Sequence, residues 1–268
     1  MMPSVVLYAH LPADLEARLA AHAEISVVDS LADLSVPRVR GLLAEAHGLI
    51  GVNQTVGVEL LDLAPKLRVI STISVGYDHF DVADLTRRGI MLMHTPEVLT
   101  ETTADLVFAL ILCAARRITE MATLVRRGEW RKDNSTERSG TDVHGKKLGI
   151  LGMGRIGQAV AKRGHAGFAM EILYYSRSKK EQAEQAYNAR RLSLDELLAA
   201  ADFVCAILPL TPETNKLIGA RELGLMKKTA FLINGGRGPV IDEAALVAAL
   251  QNGTIRGAGL DVYEREPL

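Results

Sequence analysis

Cysteine is nearly absent from this sequence: there are two in 268 residues, Cys113 and Cys205, each inside an apolar run. Two thiols so placed make neither a disulfide framework nor a metal cluster, and they read as buried groups of an intracellular chain. Net charge is equally scarce. Thirty-one Lys and Arg against 32 Asp and Glu leave −1, so no broad basic field exists to hold a nucleic-acid backbone. Long hydrophobic runs are missing too. The longest, Leu106 to Ala115, lies between Asp105 and Arg116 and holds ten residues, against about 18–20 needed to span a bilayer. The start, Met-Met-Pro-Ser before Val5-Val6-Leu7-Tyr8, has no basic region, long apolar stretch or small-residue cleavage site. The expectation is a cytoplasmic protein with no membrane or nucleic-acid partner and no metal. Neither a solenoid repeat nor a low-complexity tract is visible.

What is present belongs to an ordinary globular protein, 48% apolar and 24% charged. Aliphatic runs at Val5–Ala9, Ile25–Val28, Gly48–Val52, Leu67–Thr72 and Ile90–His94 alternate with helical patterns. The rhythm returns after residue 145, at Lys147–Leu151, Glu171–Tyr175, Asp202–Leu208, Thr229–Ile233 and Arg256–Leu260. Strands alternating with helices imply parallel sheets covered on both faces, hence an α/β fold of two doubly wound lobes, residues 1–99 and 100–268. Between the strand series runs one helical pattern from Glu101 to Arg127, with Thr100 placed to cap it and Arg126, Arg127 and Gly128 closing it. As a single helix it would extend about 40 Å and bridge lobes or subunits. The polar stretch Trp130 to Gly145 reads as a loop.

The chemistry concentrates at strand ends. Lys147-Leu148-Gly149-Ile150-Leu151 runs into Gly152-Met153-Gly154-Arg155-Ile156-Gly157 and then into a helical pattern. In such a loop the first glycine permits a tight turn, the second lets backbone approach a pyrophosphate, and the third lets the helix pack on the strand. With strand, helix and spacing all present, dinucleotide binding is the expectation. The following strand ends Tyr175-Ser176-Arg177-Ser178-Lys179-Lys180. An NAD site usually offers a carboxylate there, whereas Arg177 offers a fork of donors and Ser176 a hydroxyl, which favours the 2′-phosphate of NADP. A solvated basic turn is the alternative reading of those residues. Asn234-Gly235-Gly236-Arg237-Gly238-Pro239 follows a buried strand, so Arg237 falls at the crevice where α/β sheets bind ligands, suited to a substrate carboxylate or to a nearby acidic helix. Glu266, near the end of Leu260-Asp261-Val262-Tyr263-Glu264-Arg265-Glu266-Pro267-Leu268, is either a turn carboxylate or the orienter of a catalytic imidazole.

These segments, together with Ser74-Val75-Gly76-Tyr77-Asp78 and Leu208-Pro209-Leu210-Thr211-Pro212-Glu213-Thr214, resemble in order the D-isomer-specific 2-hydroxyacid dehydrogenases over essentially the whole chain. Within that family, Ser71 to Asp78 and Met91 to Pro96 with Thr100–Asp105 are similar to the bacterial glyoxylate/hydroxypyruvate reductases, also described as 2-ketogluconate reductases. The resemblance implies a flavodoxin-like substrate lobe and a Rossmann dinucleotide lobe, with Val75 and Gly76 N–H groups and Arg237 on the substrate. It implies that Glu266 holds a proton-donating histidine and that Thr103, Pro209, Asn234 and Asp261 line the nicotinamide side. Gly152, Gly154, Arg155, Ile156, Gly157, Ser176 and Arg177 would hold the rest of NADP, or of NAD. It also implies a homodimer.

One departure stands out. The second lobe shows five strand patterns where six are expected, and the family's Pro-His motif and return helix do not occur, so the C-terminal end reads as truncated. All seven histidines precede Glu266, and His79 and His94, nearest the substrate-lobe loops, read as structural. A chain ending there is expected to bind dinucleotide but to be a poor reductase. NADPH-dependent reduction of short 2-oxo acids (glyoxylate, hydroxypyruvate or 2-ketogluconate) is the leading reading. A dinucleotide-binding regulatory protein is the alternative, and a methyltransferase fits the glycine loop poorly.

Overall fold

The computed structural model describes residues 2–52, 54–131 and 139–268. The chain divides into two compact units, Met1–Val98 and Leu99–Leu268.

The first unit alternates β1 (Ser4–Tyr8), α1 (Ala13–Ala20), β2 (Glu24–Val27), α2 (Pro37–Glu45), β3 (Gly48–Gly51), α3 (Val58–Asp62), β4 (Val69–Thr72), α4 (Val82–Arg88) and β5 (Met91–Met93). Its parallel sheet has the order β2-β1-β3-β4-β5. Val6, Leu49, Ile70 and Leu92 stand in register across it. They form one apolar row of the unit's core, because every second residue of a strand faces the same way. Local signals set the helix ends. Pro37 opens α2 where its missing N–H is harmless, Asp81 accepts from the Asp84 N–H to cap α4, and Gly89 closes α4 at φ 69°.

The second unit begins with α5 (Thr100–Arg116) and α6 (Ile118–Arg126). It continues through β6 (Lys147–Leu151), α7 (Arg155–Phe168), β7 (Glu171–Tyr175), α8 (Glu181–Tyr187), β8 (Arg190–Arg191), α9 (Leu194–Ala200), β9 (Phe203–Ala206), α10 (Ala220–Leu225), β10 (Phe231–Asn234), α11 (Glu243–Gln251) and β11 (Gly257–Leu260). Its parallel order is β11-β10-β9-β6-β7-β8. Both faces are covered. Ile150, Phe203, Cys205, Phe231 and Ile233 pack with residues of α5 and α7, while Leu151, Val204 and Leu232 pack with residues of α9, α10 and α11. Burial pushes the Cys205 thiol up, which keeps it in the unreactive protonated form.

Three expectations need correction. The second sheet has six strands, not five: Arg190–Arg191 pairs beside β7. Two charged residues on a sheet edge leave no apolar run to read. The sixth strand of a 3-2-1-4-5-6 order is therefore present, as β11. The helix expected from 101 to 127 is two helices broken at Arg117, whose φ is 54°. The Ala115 carbonyl, which an unbroken helix would give to residue 119, instead accepts the Thr141 N–H at 2.7 Å. Thr100 is the first helical residue after an N-cap at Leu99 and makes no side-chain cap. Of the stretch read as a loop, residues 132–138 lie outside those described. Among the described residues no helix is long and apolar enough to cross a membrane.

Candidate active site

In the second unit the site is built where five parallel strands end together. The ladder runs on past the strand ends: Gly152 N–H donates to Tyr175 O at 2.9 Å, Ile207 N–H to Leu151 O at 2.8 Å, Gly235 N–H to Ala206 O at 3.2 Å and Asp261 N–H to Asn234 O at 3.0 Å. These bonds align five loops on one edge, at the switch point where β6 lies between β7 and β9.

The glycine loop crosses that edge under tight backbone contact. Gly152 has φ 100°, and a side chain there would strike the Ile207 carbonyl. A side chain on Gly157 would overlap the Gly152 carbonyl oxygen, so helix α7 is seated directly on the turn. Gly154 differs: a Cβ there would meet nothing within 4 Å. It is exposed and forms the N-cap of a 14-residue helix with no acidic residue in its first turn. An anion at that point would meet a positive helix end and bare backbone.

Beside it, the loop after β7 carries Ser176 and exposed Arg177. Ser176 Oγ donates to Ser178 O, and the Arg191 guanidinium donates to both Ser176 O and Arg177 O. The Glu213 carboxyl is held below its usual range chiefly by the Thr211 hydroxyl and its own backbone N–H, with Arg177 the least of the contributors.

Asn234 closes β10 fully buried, with Nδ2 donating to Arg237 O at 2.9 Å and Oδ1 accepting the Gly236 N–H at 3.1 Å. That brace turns the chain through Arg237, which is half-buried and whose Nη1 donates to Gly236 O at 3.0 Å. Gly235 sits against Val107, whose Cγ2 would be 2.5 Å from an added Cβ. Thr103, one turn earlier on α5, therefore shares the helix face turned to this loop. Gly238 is pressed on the Tyr263 carbonyl and the Glu264 nitrogen so closely that any side chain would overlap them. Arg237 and the segment Asp261–Glu266 are thus locked together. Glu266 is exposed and its Oε1 accepts the Tyr263 N–H at 2.8 Å, so here it closes its own turn. Lys216 reaches Glu264 at 3.3 Å and Asp242 at 3.6 Å from behind.

Val75 and Gly76 belong to the first unit, in the loop after β4. Three successive carbonyls there are taken up by the unit's own donors. Thr95 N–H bonds Ser74 O at 3.0 Å, His94 Nδ1 lies 3.0 Å from Val75 O, and Ser74 Oγ donates to Gly76 O at 2.6 Å. Because the carbonyl can only accept, His94 carries its proton on Nδ1. Tyr77 meets the same ring edge-on, with centroids 5.2 Å apart. In a planar trans peptide the N–H points opposite the preceding C=O, so the amides of Val75 and Gly76 face away from Ser74 O and Val75 O. Neither has a hydrogen-bond partner among the described residues.

The fold and these loops define a dinucleotide-dependent oxidoreductase built on a Rossmann sheet, and comparison with known proteins narrows the class. Residues 108–268 match the family model "D-isomer specific 2-hydroxyacid dehydrogenase, NAD binding domain". The chain is 54% identical over all 268 residues to glyoxylate/hydroxypyruvate reductase B of Erwinia tasmaniensis, covering 84% of that protein. It is likewise 54% identical to the reductase B of Yersinia pestis, covering 82% of it. A glyoxylate reductase from Paecilomyes thermophila superposes with a TM-score of 0.90 at 32% identity, over 100% of this chain and 83% of that one. An NADPH-dependent glyoxylate/hydroxypyruvate reductase from Sinorhizobium meliloti, solved with NADP and malonate, superposes with a TM-score of 0.87 at 32% identity, over 100% and 82%. The chain belongs to the D-isomer-specific 2-hydroxyacid dehydrogenase family.

Sequence reasoning passed over Arg191, which sits in no motif and acts on carbonyls 14 and 15 positions away. His94, read as structural, acts on a carbonyl 19 positions away.

Proposed function

We propose that this chain reduces short 2-oxo acids to D-2-hydroxy acids, with glyoxylate and hydroxypyruvate foremost and 2-ketogluconate a further candidate, using NADPH in preference to NADH. The observation that carries the cofactor reading is the loop after β7. It presents Ser176 and an exposed Arg177 where an NAD site offers a carboxylate. The open space at Gly154 and the uncapped end of α7 fit a pyrophosphate. When bound, the nicotinamide supplies hydride to the carbonyl carbon. Arg237 would grip the substrate carboxylate and steady the charge that develops on the carbonyl oxygen. In the first unit the Val75 and Gly76 amides would offer donors to a carboxylate, and in the second Thr103, Pro209, Asn234 and Asp261 would border the nicotinamide. Glu266 would orient a histidine acid, and no histidine follows it within the 268 residues. A cytoplasmic homodimer completes the reading.

Titrating the protein with NADPH and NADH by fluorescence tests the cofactor part. NADPH should bind about tenfold to a hundredfold more tightly, as charge-assisted contacts imply, and Arg177→Asp should reverse the order. Equal affinities would overturn it. For the substrate, oxalate added to the NADPH complex should bind and should be lost in Arg237→Ala. Oxalate binding that ignores Arg237 would remove the assigned role.

A further inference from the structure

We infer that Arg191 is a positioning residue that sets the preference for a 2′-phosphorylated dinucleotide by holding the backbone that faces the phosphate. This rests on the NADPH reading above and goes beyond it to how the loop acquires its shape. β8 contributes two arginines with opposite fates, because successive strand residues point to opposite faces. Arg190 pairs with Glu171 at 3.2 Å. Arg191 turns to the loop after β7, where Nε and Nη2 reach Ser176 O at 3.3 and 2.9 Å and Nη2 also reaches Arg177 O at 3.0 Å.

Capture of two successive carbonyls by one guanidinium has a geometric consequence. Across planar trans peptides, the N–H groups of Arg177 and Ser178 lie opposite those carbonyls. They are turned from Arg191 toward the other side of the loop, and neither has a hydrogen-bond partner among the described residues. The far end of the loop is tied independently, where Tyr174 Oη accepts the Lys180 N–H at 2.9 Å and donates to Glu184 at 2.8 Å. A loop clamped at both ends, with two free amides and the Arg177 side chain between the clamps, presents an anion with donors already aligned. Without Arg191 the same residues remain, but the two peptides are free to turn their carbonyls toward the phosphate. A lysine has the charge but lacks the planar fork that spans two carbonyls.

The test uses the adenosine end of the cofactor, so turnover is not needed. Binding of 2′,5′-ADP and of 5′-AMP is measured by calorimetry on the unmutated protein and on Arg191→Met, Arg191→Lys and Arg190→Met. Affinity for 2′,5′-ADP should fall about tenfold in both Arg191 variants, while 5′-AMP affinity changes less than about twofold, and Arg190→Met should leave both unchanged. Rescue by Arg191→Lys would show that charge alone matters and overturn the positioning role. Equal losses for the two ligands, or no loss, would overturn it as well. If the unmutated protein itself fails to prefer 2′,5′-ADP, the NADPH reading fails and the inference falls with it. Preference in the unmutated protein that the variants retain defeats the inference alone. Should Arg191→Met fold poorly, as judged by its thermal melt, Arg191→Lys decides.

Discussion

The two units each turn backbone amides outward at the end of a parallel strand, and they do so by opposite means. In the second unit, the Gly152–Gly157 loop is shaped by what its residues lack: side chains at 152 and 157 would collide with backbone, and one at 154 would occupy the open space. In the first unit, the Ser74–Gly76 loop is shaped by what it is tied to, three carbonyls drawn off by Thr95, His94 and Ser74. A site made by omission is local and written in residue type. A site made by restraint depends on partners elsewhere in the chain, and it loosens gradually when one is removed.

The largest effect should come from breaking the first device. Gly157→Val must push helix α7 off the Gly152 carbonyl, which we expect to cost about 3 kcal/mol or more and to abolish dinucleotide binding; denaturant midpoint and NADPH titration report the two losses. Gly154→Ala sharpens the point. Its Cβ touches nothing, so the midpoint should stay within error while NADPH affinity falls about tenfold or more. A stability loss at 154 equal to that at 157 would refute the division of labour between these glycines.

Loosening the restrained loop should do less. His94→Phe keeps an aromatic edge for Tyr77 but removes the donor to Val75 O. Oxalate affinity of the NADPH complex should drop about fivefold to tenfold, near 1–1.5 kcal/mol, with NADPH affinity unchanged. A parallel loss of NADPH binding would mean that the first unit does not hold its loop separately.

The smallest effect belongs to the opposite end of the second sheet. There Asp202 accepts from Lys227 Nζ at 2.8 Å and from the Lys147 N–H at 2.9 Å. Burial pushes its carboxyl up, but the Lys227 ammonium and the Lys147 amide more than offset this and hold it below the usual range. A carboxyl depressed by folding adds stability that is fully present above its unfolded pKa, about 3.9, and is lost as pH falls through the lower folded value. Asp202→Asn should therefore cost about 1 kcal/mol at neutral pH, and the difference from the unmutated protein should shrink below about pH 4. An undiminished difference at pH 3 would show that the carboxylate charge is not what counts, and NADPH affinity should not respond at any pH.

The same contrast explains what could be read before the fold was known. Among the described residues, ten of the eleven strands announce themselves as aliphatic runs, and the Gly152 loop and the Asn234–Gly238 turn are legible because glycine acts where it stands. Arg190–Arg191 is a strand only because β7 is beside it. The break at Arg117 goes together with the capture of the Ala115 carbonyl by Thr141, far along the chain. Arg191 and His94 likewise become meaningful only when the fold brings a carbonyl to them.

Gly238, pressed on the backbone of Tyr263 and Glu264, makes two stretches of chain into one part. The cation assigned to the substrate and the carboxylate assigned to the proton donor ride on that part like two teeth of a single gear. Their spacing is set by main chain on main chain, so side-chain replacements elsewhere have little purchase on it. Substitutions in the surrounding loops should therefore leave that spacing intact, while a side chain at position 238 would disturb both groups at once.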